Sequence, residues 1–310
     1  MEYRPDFTDI LRSMRVLRWF QFALLALGAS ATAIIPARAQ TPAVTLTPEV
    51  VEAGSPELIR VNAPETAALE GQWRGQKLAF FWSQDRQAWY ALAGVDVEGA
   101  VGASSLRIKE TLNGTSGGTI DLSRSIEIHE AHYPTGTLTV APKFVAPNPK
   151  ELARIRKEMA LKEKVFARSA PQPLWSGDFR APVHAEPTDS FGTRRTFNGQ
   201  LASVHKGMDF RAPPGTLVRA GNSGVVVLAR RLYYEGNCVV IDHGSGLFTL
   251  SMHLSRIGVH EGQRVRVGQR IGLSGATGRV TGPHLHWAVR WQNAYLDPAK
   301  LLQMDLSAVR

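Results

Sequence analysis

His284-Leu285-His286-Trp287-Ala288-Val289-Arg290 sets the reading of the C-terminal half of the chain. The run is rich in apolar and aromatic residues and follows the turn-forming Gly278 to Pro283, so it reads as a strand. Residues two apart in a strand point the same way, so His284 and His286 turn both imidazoles to one side. Working outward, Val218–Ala220, Gly224–Leu228, Asn237–Ile241, Phe248–Leu250, Arg264–Val265 and Arg270–Gly272 are further candidate strands. Only Pro298–Leu302 looks helical. A sheet-dominated region with almost no crossover helices predicts an antiparallel barrel or sandwich.

Two other local signals lie in this half. His205-Lys206-Gly207-Met208-Asp209 carries a His and an Asp at i, i+4, with a glycine between them that permits tight geometry or close approach. Met252-His253-Leu254 places a lone His at the end of a candidate strand. Each signal alone is weak. Together they supply what a catalytic zinc needs, two imidazoles and one carboxylate with a position left for water, and two further histidines to handle protons. The single cysteine, Cys238, excludes an intrachain disulfide and any site built from several thiolates. His260-Glu261 resembles the start of a helical His-Glu-x-x-His motif but lacks the second His, and reads as a surface turn. His129 and His132 read as an exposed pair at a strand end, with no third ligand nearby.

The length of 310 residues suits about two domains, and 44% hydrophobic with 20% charged residues suits a globular chain. Residues 40–146 read as short strands at Val44–Leu46, Glu57–Val61, Lys77–Trp82, Ala88–Leu92, Ser105–Ile108 and Arg124–Ile128. Gly and Pro clusters such as Asn113–Gly118 separate them. That pattern predicts an immunoglobulin-like β-sandwich. Residues 147–173 predict a helical linker, with a helix over Glu151–Ala167 whose stripe of Leu152, Ile155, Met159 and Val165 or Phe166 docks on a neighbouring domain. Residues 174–310 form the third part, so the fold class is mainly β.

Residues 1–39 read as a signal peptide. Arg12, Arg15 and Arg18 precede the apolar run from Trp19, and Ala37-Arg38-Ala39 offers a cleavage site after Ala39. The alternative is an uncleaved anchor, since Trp19–Ile35 approaches spanning length. Met14 is an alternative start that leaves a compact signal. After cleavage, no segment is long and apolar enough to span a membrane. The formal charge falls from +9 to +7, because five basic and three acidic residues leave. A cationic exported protein is drawn to anionic cell-envelope surfaces. Its basic residues are scattered rather than clustered with aromatics, so no nucleic-acid partner is expected.

The ordered set Ser190-Phe191-Gly192, His205-x-Gly207-x-Asp209, Ala212-Pro213-x-Gly215-Thr216, Asp242-His243-Gly244, His253-Leu254 and Gly278-Arg279-x-Thr281-Gly282-Pro283-His284-Leu285-His286 resembles the lysostaphin/LytM-type zinc endopeptidases. The match runs from about Ser190 to Leu302, and the β-rich region resembles the immunoglobulin-like extension of some exported members. The resemblance implies a folded antiparallel β-sheet with a groove. It implies one zinc per chain on His205, Asp209 and His286, with His253 and His284 as catalytic histidines that activate water and stabilise the oxyanion. The implied activity is zinc-dependent hydrolysis of peptidoglycan stem peptides or cross-links in the periplasm or cell envelope. An acid-side loss of activity near a histidine pKa of about 6.5 is expected if the histidines are unperturbed. Ser251 departs from the family, which often carries an aromatic residue there, and this puts one groove-lining contact in doubt. A catalytically inactive domain that binds peptidoglycan or activates another hydrolase is the alternative function. A purely structural zinc site fits less well, because it prefers four protein ligands. The N-terminal domain, the helix or a regulatory cell-envelope protein could cover the groove.

Overall fold

Strict alternation builds the N-terminal part. In Gly102–Thr111 and Thr119–His129, the paired strands of a long hairpin, Leu106, Ile108, Ile126 and Ile128 are buried while their neighbours face solvent. The hairpin lies in a five-stranded sheet with Val51–Glu52, Ala68–Trp73 and Gln76–Leu78. A four-stranded sheet of Val44–Thr47, Pro56–Val61, Ala88–Gly94 and Phe81–Ser83 lies beside it, and Ile59, Val61, Leu92 and Trp73 join one apolar cluster with the hairpin residues. This computed structural model describes residues 43–112, 118–199 and 201–307. The expected signal segment and most of the Asn113–Gly118 turn lie outside the described residues.

One expected strand is two. Lys77–Trp82 splits at Ala79-Phe80, so that Gln76–Leu78 ends in one sheet and Phe81–Ser83 begins in the other. Phe80 and Phe81 are consecutive and both buried, which one pleated strand cannot arrange on a single core face. Passing between the sheets buries both.

The helix spans Pro149–Phe166. It is set by a capping box in which the Asn148 side chain accepts from the Glu151 N–H and Glu151 accepts from the Asn148 N–H, both at 2.9 Å. The expected docking stripe is rotated. Leu152 and Met159 are exposed, and Ile155, Glu158, Lys162, Val165 and Phe166 face the protein. Two polar partners explain the rotation: Glu158 accepts from the Tyr233 N–H at 2.7 Å, and Lys162 pairs with Glu235. Phe166 packs edge-on against Phe248, 5.2 Å between ring centroids.

The C-terminal part is an eight-stranded antiparallel sheet. Its order is Pro187–Asp189, Met208–Phe210, Leu285–Trp291, Leu247–Leu254, Gly236–Asp242, Gly224–Leu232 and Arg264–Val265, with Ala294–Leu296 hairpinned onto Leu285–Trp291. The expectation of an antiparallel sheet domain holds. The two central strands, Leu247–Leu254 and Leu285–Trp291, are buried along their whole length. One face, with Trp287, Val289 and Trp291, joins the same apolar cluster as the N-terminal sheets; the other, with Phe248, Leu250 and Ala288, meets the helix. The N-terminal part is tied further to the C-terminal part by the Lys300–Glu52 pair and by the Asp297 N–H donating to the Gly54 carbonyl at 2.7 Å. Thr135–Leu138, grouped with the sandwich on sequence, instead pairs in parallel with Arg194–Phe197, which hairpins with Leu201–Val204. No helix among the described residues is long and apolar enough to cross a membrane.

Candidate metal centre

Strand register brings the candidate ligands together. Asp209 lies opposite His286 on neighbouring antiparallel strands, and Met252 lies opposite His286 on its other side. His205 sits four residues upstream of Asp209, just before the strand that carries it. The atoms His205 Nε2, Asp209 Oδ1 and His286 Nδ1 converge: 3.0 Å from His205 to Asp209, 2.9 Å from His205 to His286, and 2.8 Å from His286 to Asp209. All three residues are buried, and they form the one such metal-competent group among the described residues.

This donor set fits a divalent metal. His205 Nδ1 lies 2.8 Å from the Ser190 carbonyl and must donate to it, so Nε2 presents a lone pair toward a carboxylate oxygen. Two acceptors facing each other at 3.0 Å need a cation or a proton between them. Ligand atoms bonded at about 2.0–2.2 Å to a tetrahedral zinc stand roughly 3.3 Å apart, close to the separations found. Burial opposes the charge on Asp209, but the neighbouring imidazoles of His205 and His286 outweigh it and hold the carboxyl well below its usual range. Burial likewise lowers the pKa of His286, against the pull of Asp209, and favours the neutral ring a metal requires.

Gly207 makes the convergence possible. A Cβ there would stand 2.4 Å from His286 Nε2 and 2.8 Å from the Trp287 carbonyl oxygen. His253 and His284 flank the group. The ring centroids of His253 and His284 are 5.0 Å apart, and those of His253 and His286 are 5.9 Å apart. His284 Nε2 lies 3.7 Å from Asp209 Oδ1. His253 reaches this position through a β-bulge, in which Met252 and His253 oppose the single residue Cys238, and its backbone has φ of +61°. That conformation costs a non-glycine residue about 1–2 kcal/mol, and such strain collects at functional sites. Each of these two rings is tethered through Nδ1 to a backbone carbonyl, Thr277 for His253 and Gly282 for His284, both at 2.8 Å. Burial, reinforced by His286 and His284, pulls the His253 pKa down to about 3, so this ring does not titrate near 6.5 as an unperturbed histidine does.

The group opens onto a cleft of about 270 Å³. Leu138 and Val140, from the stretch between sandwich and helix, contribute to its wall. Met252 and His253 line it and Ser251, buried in the sheet, does not; Phe197, Tyr234 and Tyr295 supply aromatic surface. His243 stands apart, buried with Nδ1 on the Ser223 carbonyl and Nε2 on Thr249 Oγ1. His129, His132 and His260 are exposed and lie outside the site.

Sequence reading missed Arg195. Its guanidinium bridges Asp189 and the second oxygen of Asp209, Oδ2, at 3.0 Å from the latter. It fixes the carboxylate whose other oxygen faces the histidines. Nothing in the spacing of Thr193-Arg194-Arg195 signals this, because Asp189 and Asp209 become neighbours only through strand pairing.

Comparison with known proteins agrees with this geometry. Residues 203–298 match peptidase family M23. Over 83 residues the chain is 58% identical to the peptidoglycan DD-endopeptidase ShyA of Vibrio cholerae, covering 27% of this chain and 19% of that protein. Over 119 residues it is 44% identical to the DD-carboxypeptidase/endopeptidase Mpg of Neisseria meningitidis, covering 38% of this chain and 27% of that one. The chain thus spans about a fifth to a quarter of the length of these curated relatives. A crystal structure from Pseudomonas aeruginosa, described as a candidate M23 peptidase, superposes with a TM-score of 0.63 at 26% identity, covering 81% of this chain and 94% of that one. The metal-competent cluster and its two tethered histidines fall inside the segment, residues 203–298, that matches peptidase family M23.

Proposed function

We propose that this chain is an exported zinc endopeptidase that hydrolyses peptide cross-links of peptidoglycan. The observation that carries this reading is the convergence of His205 Nε2, Asp209 Oδ1 and His286 Nδ1 within 3.0 Å, at the floor of a cleft flanked by two further imidazoles. The likeness to peptidoglycan endopeptidases over the same residues supports the substrate.

In this reading His205, Asp209 and His286 hold one zinc ion. When bound, zinc supplies Lewis acidity toward the scissile carbonyl and the attacking water. The Ser190 carbonyl fixes the tautomer of His205, and Arg195 fixes the orientation of Asp209. His253 and His284, tethered through Nδ1, each present Nε2 to the cleft as a proton acceptor. A ring that has accepted a proton can pass it to the leaving amine or hold it toward the developing oxyanion. Burial keeps His253 neutral at physiological pH, the form that can accept.

Export rests on the arginines before Trp19, the apolar run and Ala37-Arg38-Ala39, with cleavage before Gln40. The test uses the chain from Gln40 onward on purified sacculi, with metal analysis and mass spectrometry of the released muropeptides. One zinc per chain and newly opened cross-links are expected. His205→Ala and Asp209→Ala are expected to lose both together. Full zinc occupancy in either variant, or intact sacculi with zinc-loaded wild type, overturns the reading.

A further inference from the structure

The cleft holds a cation with no hydrogen-bond or ion-pair partner for its side chain among the described residues. Arg195, Lys206 and Arg279 all line it. Arg195 is committed to Asp189 and Asp209, and Lys206 to Glu98 at 2.8 Å. The acidic side chains on the cleft wall are committed too: Asp209 to Arg195 and the histidines, Glu235 to Lys162. Arg279 alone among these cations has no hydrogen bond or ion pair from its guanidinium to any described residue.

Its placement is built rather than loose. The guanidinium carbon lies 4.5 Å from the centre of the Phe197 ring and 4.6 Å from that of Tyr234. The Arg279 N–H donates to the Tyr234 carbonyl at 2.8 Å, and Gly278, with φ of +82°, lets this loop close on Gly236. Two aromatic rings satisfy the faces of the guanidinium and restrict its rotation. They leave its in-plane N–H donors, which match a carboxylate bidentately. A partly buried, pre-oriented and unpaired guanidinium beside a peptidase centre is a receptor for an anion carried by the substrate.

In peptidoglycan such an anion stands beside any scissile amide whose leaving residue keeps a free α-carboxylate. In a direct cross-link between D-centres, the carbon bonded to the leaving nitrogen bears a free carboxylate. A terminal D-alanyl-D-alanine shares that feature. A glycine bridge has a further amide there instead. We propose that Arg279 binds this carboxylate and so selects amides whose leaving residue carries it, the direct cross-link among them, over glycine bridges. The inference rests on the proposed hydrolase activity and adds the class of bond that the site takes.

The test uses zinc-loaded protein from Gln40 onward and two synthetic cross-linked peptides, one with the free carboxylate on the leaving residue and one with the carboxamide in its place. A charge-assisted, bidentate contact is worth about 1.5–3 kcal/mol, so wild type should prefer the acid by roughly 10–100-fold in kcat/KM. Arg279→Gln should bring the ratio close to one with zinc content unchanged, and Arg279→Lys should keep part of the preference. In calorimetry, the free-acid product peptide should bind wild type more tightly than Arg279→Gln. Equal turnover of both peptides by wild type overturns the assignment while leaving the hydrolase intact. So does an Arg279→Gln protein that slows both peptides alike with the preference retained, which would make the arginine a clamp for Phe197 and Tyr234. Wild type that cleaves neither peptide nor sacculi overturns the hydrolase reading itself.

Discussion

Gly207→Ala is a one-carbon test of the metal centre. Gly207 does not occupy the left-handed region that penalises side chains, so alanine is free to adopt its backbone. The effect of the substitution therefore comes from contact alone. The added Cβ would lie 2.4 Å from His286 Nε2, 2.6 Å from His286 Cε1 and 2.8 Å from the Trp287 carbonyl oxygen. Comfortable contact begins at about 3.5 Å, so the His286 ring or the 205–209 backbone must move by roughly 1 Å. The ring cannot simply retreat, because its strand is hydrogen-bonded on both sides, to Met208–Phe210 and to Leu247–Leu254. Overpacking of this kind costs about 1–3 kcal/mol of stability, and a 1 Å displacement of a catalytic group costs on the order of 10² in rate. The expected protein is folded, melts several degrees lower, holds zinc at least tenfold more weakly in chelator competition, and loses about two orders of magnitude in sacculus hydrolysis. Wild-type zinc affinity together with wild-type turnover would refute the claim that His286 is held against Gly207.

His253→Ala and His284→Ala should each keep near-normal zinc content and lose about 10²–10⁴ in turnover, since neither belongs to the converging group; loss of zinc in either would move that residue into the ligand set. His243 provides a pH signature away from the site. Burial lowers its pKa to about 4, so the native protein stays unprotonated there while the unfolded chain takes up a proton below about 6.5. Its contribution to stability is complete above pH 6.5 and falls by roughly 3 kcal/mol as pH drops to about 4. In denaturant titrations His243→Gln should lose about one proton's worth of slope across that window, and an unchanged slope would contradict the buried neutral ring. N-terminal sequencing of protein from the cell envelope should begin at Gln40; a full-length membrane-bound form would instead support an anchor.

Local sequence was enough for what depends on short-range periodicity. Two-residue alternation marked the strands, and His284 and His286 both turn toward Asp209 Oδ1. The helix was readable over Glu151–Ala167, while its start at Pro149, set by the Asn148–Glu151 capping box, was not read from the sequence. The residue types able to hold zinc were readable because imidazole is scarce, nine histidines in 310 residues, and specific in chemistry. Everything decided by which distant segments meet was not. The break at Ala79-Phe80 follows from two sheets competing for the adjacent rings of Phe80 and Phe81. The docking face of the helix follows from Tyr233 and Glu235 reaching back to it. The parallel addition of Thr135–Leu138, the bridge of Arg195 between Asp189 and Asp209, and the capture of Arg279 between Phe197 and Tyr234 join positions dozens of residues apart or on different strands. A repeat of two or 3.6 residues says which side of an element is apolar. It does not say which element will lie against it, and in this protein that choice places the charges around the cleft.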